Sequence, residues 1–549
     1  MDARPQERRS DPRRGIAARV GLALVATGLV SAATDRREIA GAVYDWRSAV
    51  AFGLFVAVLL AAGLRRPVRG VVSLAFGALA LGLMVAAFEL GAAPGMIVYV
   101  ALALAATFYA APHLRLLVIG AFSLWTPALW LLAGPSLAPL LWFASIVALA
   151  AAAFALLDPR RVHPSDRLRR AGYATLAIAV VAMSAGRTLR VSGPGSTALD
   201  AIALVAVLAL VLLAYARMRP SLRETTALAV GLVAFAAVGA VYIASVPYHD
   251  DAVVGPHRAA ELLLAGQDPY ATFDLPDALA RFHIDVVWAT HLVSGDVIHT
   301  YSYPALSFLV VAPFVALGID DIRWVYLVAL VILAVAAARH MRPAWRAPAL
   351  ATILGSEIVS TQALIAGVDP TWALFIVCAW LARDRRWLSA LFLGLAIADR
   401  QPAWFVFPFV IAAVARRASA NEALVRAAIA LGVAVLIHVP FLIGAPSRMF
   451  EGILAPVFAP LVADGVGLVQ FGVTARYTPI LPRLAYTVLA LAAFAALLAI
   501  VWRRSRSLVG AWLGWPLLPL YLAWRSLPNY FAFAPLFTLV ADDELTDES

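Results

Sequence analysis

Two adjacent carboxylates, Asp250 and Asp251, stand in the segment VPYHDDAVVGPHRAAELLLAGQDPY, directly after a long apolar run. Like charges side by side at a water–lipid boundary repel, which suits one of them to take up a proton as a general base. The alternative role is structural, a solvated loop start or a helix cap. His249 and His257 flank the pair. Arginine offers a second kind of chemistry, because its planar fork grips a phosphate through two parallel hydrogen bonds. Arg400 in GLAIADRQPAW, Arg476 beside Tyr477 in TARYTP, and Arg525 near Tyr530 in WRSLPNY each lie in a turn between apolar runs. A local Asp399–Arg400 pair or a plain turn accounts equally well for the first. Asp369, in LIAGVDPTW, is a carboxylate between two apolar runs. At membrane depth such a charge costs about 2.5–3.5 kcal/mol, so it sits either in a loop or in a polar cavity. Tyr301 and Tyr303, in TYSYPAL, close the loop where the chain re-enters lipid, a boundary that tyrosine favours regardless of function. His283, His291 and His299 recur eight apart, but they match neither HExxH nor a tight His-x-His pattern, so no metal site is indicated.

Composition sets the elements that must hold these groups. The chain has 549 residues, 63% hydrophobic and 14% charged, against about 45–50% apolar and about 25% charged in soluble domains. The reading is an all-α polytopic membrane protein, which excludes a cytosolic enzyme, a disordered chain and a disulfide scaffold. Cys378 is the only cysteine, so neither an intramolecular disulfide nor a cysteine metal cluster can form. No lysine occurs; all 43 basic residues are arginine, and the net charge is +10. That removes Schiff-base lysine chemistry and a Walker-type phosphate lysine. The arginines gather in short loops, the pattern of a positive-inside signal rather than of a nucleic-acid face.

About 17 transmembrane helices are predicted, each needing about 20 apolar residues. Residues 1–15 read as a cytoplasmic basic tail, because the apolar run behind them lacks a small-residue cleavage site. Residues 16–222 hold eight spans with basic alternate connections, which places those loops and the N-terminus in the cytoplasm. A ninth span, about 224–246, leads out to the longest polar stretch, 247–302, which carries five of the nine histidines. Polarity concentrated in one external loop is the first place to look for a site. Pro256 and Gly266 predict a short helix over 257–265, with Leu262, Leu263 and Leu264 on its apolar side and His257, Arg258 and Glu261 pointing elsewhere. It is either an interfacial helix flanking a lipid or an ordinary packed loop helix. Ten apolar runs follow, from 303–318 to 527–541. Charge parity requires one run between 303 and 340 not to cross, and 303–318, the shortest, is expected to be re-entrant or interfacial. Asp369, Arg400, residues 445–478 and Arg525 to Tyr530 then share the outer face with the long loop. Residues 542–549 form an acidic tail.

The order of these motifs resembles that of the GT-C superfamily, integral-membrane glycosyltransferases that use polyprenyl-phosphate sugars. The resemblance covers about 224–541: a span leading outward, a carboxylate opening the first external loop, an A..LL.G.DPY helix and turn ending at Tyr270, and Y.YP at Tyr301 to Pro304. AGVDPTW is similar to the GQ.N element of bacterial mannosyltransferase-like members, with Val368 and Asp369 in place of Gln and Asn. GLAIADRQP resembles their G....K..P element, with Arg400 where lysine is common. YPA replaces their double proline, and the N-terminal eight-span block is extra.

The resemblance implies a GT-C-like core over 223–541. It would transfer a hexose such as mannose from a polyprenyl-phosphate donor to a glycolipid or envelope glycan, at the outer face of a bacterial plasma membrane. Asp251 or Asp250 would remove the acceptor hydroxyl proton, a single displacement would invert the anomeric centre, and Arg400, Arg476 or Arg525 would stabilise the departing phosphate. His249, His257, Tyr270, Tyr301, Tyr303, Asp369, Tyr477 and Tyr530 complete the expected substrate-binding set. No cofactor is required; a divalent cation is compatible with the chemistry, but no motif indicates one. The implied partners are the donor, the acceptor and membrane lipid, with no nucleic acid. Two other classes fit the same helices. A transporter or flippase of lipid-linked sugars should show intramembrane charge pairs and broken helices in matching halves. A non-catalytic scaffold of envelope assembly would use the loop only to bind a partner.

Overall fold

The computed structural model describes residues 193–248, 250–354, 370–465, 467–469, 481–504 and 510–542, with single residues or pairs at 53, 56–57, 59–60, 169, 172–173, 176–177, 179–180, 183–184, 191, 359 and 508. The basic tail 1–15, most of the eight-span block 16–222 and the acidic residues beyond Asp542 lie outside the described residues.

The described chain is mostly helical. Helices α1 (Pro194–Tyr215) and α2 (Pro220–Ser245) pack on each other, and each opens with proline, whose missing N–H is not needed at a first helical position. Helix α3 (Asp251–Leu264) follows at once. It starts six residues before the helix predicted over 257–265, because Asp250 caps it: its Oδ1 accepts the Ala252 N–H at 2.9 Å. Pro256 therefore lies inside the helix rather than at its start. The stop is as the sequence implies. Gly266 takes φ 76°, while the Gly266 and Gln267 amides donate to the Leu263 and Leu262 carbonyls, both at 2.9 Å.

Most acids of this loop turn out to be structural. Asp268, Asp274 and Asp285 cap the short helices Pro269–Thr272, Leu275–Arg281 (α4) and Val286–Trp288, as Asp250 caps α3. Glu261 is bound by Arg258 at 2.8 Å and Arg281 at 3.3 Å.

The run 303–318 does not form a spanning helix; it breaks into Leu306–Leu309 and Ala312–Ala316, which pack against α3. Helix α5 (Arg323–His340) then begins where α2 ends, since Arg323 Nη2 donates to the Ile243 carbonyl at 3.0 Å. Residues 246–322 therefore stay at one end of the bundle. Arg323, buried to 1% exposure, is neutralised by Asp321 at 2.5 Å. Next come α6 (Pro343–Leu354), α7 (Thr371–Leu381), α8 (Arg386–Asp399), α9 (Pro402–Arg417), α10 (Ala420–Gly444), α11 (Pro446–Ile453) and α12 (Arg483–Arg504). Five described helices, α1, α2, α5, α10 and α12, are long and apolar enough to cross a membrane. The basic turns at the far end of α8 converge: Arg386 and Arg426 both bind Glu422, and Arg426 also bonds the Arg383 carbonyl. The 14 residues of α8 rise about 21 Å, so Arg400 at its other end lies that far from the basic end.

The runs 508–524 and 527–541, expected as two crossings, are broken instead into Ala511–Gly514, Leu518–Leu522, Pro528–Phe531 and α13 (Ala534–Val540). Pro516, Pro519, Pro528 and Pro535 interrupt the helical ladder. Such irregular backbone is tolerated because most of it is buried in protein. A two-residue parallel ladder joins Asp464–Gly465 (β1) to Arg525–Ser526 (β2).

Candidate active site

A cavity of about 420 Å³ lies between the loop 247–302 and the bundle. It gathers side chains that are far apart in sequence: Asp250, Asp251 and Thr290, Tyr301 and Tyr303, Arg400 and Gln401, Asp464, and Arg525, Asn529 and Tyr530. Seven sequence-selected residues thus converge: Asp250, Asp251, Tyr301, Tyr303, Arg400, Arg525 and Tyr530.

The two aspartates have different roles. Asp250 Oδ1 is committed to the helix cap. Asp251 Oδ2 accepts both the backbone N–H and the hydroxyl of Thr290, each at 2.8 Å. Among the described residues, both hydrogen bonds of Asp251 use Oδ2 and none uses Oδ1. The two Thr290 donors fix the Asp251 rotamer.

Arg400 caps the C-terminus of α8, where the helix dipole favours a cation. It is buried, and its guanidinium carbon stands 3.7 Å from the centre of the Tyr303 ring. Asp399, beside Arg400 in the chain and fully buried, accepts the Thr371 hydroxyl on Oδ2 at 2.5 Å. Burial pushes the Tyr303 phenol well up; Arg400 opposes this and the Asp251 and Asp250 charges add to it, so at neutral pH the phenol is a donor.

Backbone clamps hold this corner. Gln401 Nε2 donates to the Ser302 carbonyl at 2.6 Å and the Ile453 carbonyl at 3.2 Å. His438 Nδ1 donates to the Ala434 carbonyl at 2.7 Å, and its Nε2 accepts the Ala305 N–H at 3.0 Å. His438, which lies in an apolar run and reads from sequence as a satisfied core polar group, thereby anchors the YPA turn. Gly452 passes so close to the Tyr301 carbonyl that a Cβ would strike it.

Across the cavity, the β1–β2 ladder sets Asp464 Oδ2 3.9 Å from Arg525 Nη2. Gly465, at φ 125° against the Ser526 backbone, permits the approach. The indole N–H groups of Trp404 and Trp524 bond the Ile397 and Leu461 carbonyls, each at 2.8 Å, so their rings give the cavity apolar walls, joined by Trp288 and Trp372. Asn529 Oδ1 is buried with no hydrogen-bond partner among the described residues. An apolar cleft with a few convergent polar groups is the usual make-up of an organic-ligand site.

Two expected contacts belong to the core instead. The Tyr270 hydroxyl donates to the Tyr303 carbonyl at 2.7 Å, and its ring packs edge-on against Tyr301, Phe308 and Phe441. His257, expected to point away from the packed side of its helix, is buried at 4% exposure, whereas Leu264 is 49% exposed. Its Nδ1 lies 3.1 Å from the Tyr248 hydroxyl, and its ring packs against Phe282. Tyr248 also accepts the Ile322 N–H at 2.8 Å and is hydrogen-bonded to the Asp321 side chain. Burial pushes the His257 pKa down and keeps the imidazole neutral for its bond to Tyr248. His249, Asp369, Arg476 and Tyr477 lie outside the described residues.

Thr290, Gln401 and Asp464 were not selected by sequence reading. Asp464 alone carried a signal, an Asp-Gly turn in a predicted outer loop; the other two act through contacts 39 to 99 residues distant. Among the described residues, no three His, Cys, Asp or Glu side chains are grouped to hold a metal ion. No family model, curated protein or solved structure matches this chain.

Proposed function

We propose that this chain is a membrane glycosyltransferase of the GT-C kind. In this reading it transfers a hexose such as mannose from a polyprenyl phosphate to a glycolipid or envelope glycan at the outer face of a bacterial plasma membrane. The observation that carries the reading is one cavity that holds a fixed carboxylate and two arginines from remote segments. Asp251 Oδ1 takes the acceptor hydroxyl proton as that oxygen attacks the anomeric carbon. The carbon–oxygen bond to the lipid phosphate breaks, and Arg400 and Arg525 neutralise the departing oxyanion. One displacement inverts the anomeric centre. Asp250 holds the helix that carries the base, Tyr303 and Tyr530 border the phosphate, and Asn529 and the tryptophans border the sugars. Arginine charge meets the phosphate without a metal.

The test is sugar transfer in proteoliposomes from purified polyprenyl-phosphate mannose to extracted membrane glycolipid. Asp251→Asn should abolish transfer while insertion is intact, and Asp250→Asn should retain part of it. Transfer surviving Asp251→Asn removes the base assignment. Donor crossing the bilayer with no transfer would make the chain a flippase.

A further inference from the structure

Several large apolar side chains of the loop 247–302 and of the segment before α12 face outward together. Val287 is 59% exposed, Trp288 44% and Phe458 76%, with Val286, Val293 and Val457 also exposed. They form one rim. The Val293 amide donates to the Pro460 carbonyl at 2.8 Å, and the Val462 amide to the His291 carbonyl at 3.0 Å. Trp288 and Val457 border the mouth of the same cavity. The rim is fastened to a membrane-crossing helix: Arg483, the first residue of α12, bonds the Ala459 carbonyl and, at 3.1 Å, the Pro456 carbonyl. Leu484, Val488 and Leu491, on the first turns of α12, are exposed as well, and Leu491 lines the cavity.

We propose that this rim is seated in the interfacial layer of the bilayer, as a continuation of the lipid-facing side of α12. Water disfavours six clustered apolar side chains, and a patch of this kind marks a contact surface. Its continuity with the exposed face of α12 identifies the partner as lipid. Tryptophan in the rim suits the headgroup boundary. Asp285 caps the 286–288 turn and Asp296 follows Val293, so carboxylates flank the apolar tips and stop them short of the hydrocarbon core. The loop 247–302 is therefore not a free aqueous loop: its tip rests on lipid and holds the cavity mouth at the membrane surface. This inference needs only that α12 crosses the membrane and is independent of the chemistry proposed above.

The test places nitroxide labels at Val287→Cys and Phe458→Cys in the full chain carrying Cys378→Ala, with Leu484→Cys as the lipid reference and Gln267→Cys as the aqueous one. The protein is reconstituted in vesicles of phosphatidylcholine and phosphatidylglycerol. Collision with oxygen, which concentrates in lipid, is compared with collision with a water-soluble nickel chelate. Both rim positions should favour oxygen severalfold over position 267, as position 484 does. Chelate preference at either rim position overturns the seated rim. Exclusion of both reagents would show a protein partner or second copy covering it, and also overturns it.

Discussion

Replacing Arg400 by leucine probes the phosphate contact proposed for it. The guanidinium is buried, sits at the C-terminus of α8 and stacks 3.7 Å from the Tyr303 ring centre. A hydrogen bond to a charged group contributes about 1.5–3 kcal/mol. Two such bonds to a departing phosphate stabilise the transition state by about 3–6 kcal/mol, so Arg400→Leu should lower kcat/KM by about 10²–10⁴-fold. Arg400→Lys keeps the charge but loses the fork, one bond of the two, and should cost about 10–10²-fold. Tyr303→Leu removes the stacking face, about 2 kcal/mol for a desolvated pair, or about 30-fold. The assay is the initial rate of transfer from polyprenyl-phosphate mannose, with thermal unfolding followed in parallel and inhibition by sugar-free polyprenyl phosphate as a binding readout. The inhibitor should weaken in the order lysine, then leucine. Folded Arg400→Leu protein with kcat/KM within about twofold of the parent would refute the reasoning. The lysine variant carries the test if leucine prevents folding.

Two further outcomes follow from the geometry. His257 has a pKa depressed by burial, so its contribution is fully present above the unfolded value of about 6.5 and is lost as pH falls through the folded value. His257→Gln cannot titrate and should flatten the decline in melting temperature below about pH 6.5; an unchanged slope would place the titration elsewhere. Thiol reagents confined to the external water should label Gln267→Cys and not Arg342→Cys in Cys378→Ala protein, because 246–322 stays at one end and α5 carries the chain to the other. External labelling at position 342 would overturn the assigned sidedness.

Patterns local in the chain were legible before the fold was known. The Asp-Asp pair, the Gly266 stop and, among the ten apolar runs, those that became α10 and α12 depend on neighbours within a few residues, and each has a counterpart in the structure. Other readings failed where a remote contact overrode a local rule. Pro256 suggested a helix start, but the Asp250 cap moved the start to Asp251. His257 and Tyr270 read as ligand groups until Tyr248 and the Tyr303 carbonyl took up their polar atoms. The runs 508–524 and 527–541 have the apolarity of spans, but hydropathy does not register that four prolines break them inside a protein-lined interior.

Sequence by itself determined the solvent of this protein and the distribution of its polarity. An apolar fraction of 63% fixes a membrane environment, and short-range charge counts single out the loop 247–302. Tertiary structure alone decided which polar groups share a cavity. Of the eight loop carboxylates, four became caps and Glu261 joined an ion pair, whereas Asp251, held by Thr290, lines the same cavity as Arg400 and Arg525. The physical reason is range. Hydropathy and capping act over a few residues and can be read along the chain, whereas the Thr290 donors that hold Asp251 lie 39 residues away and only folding brings them within hydrogen-bond distance.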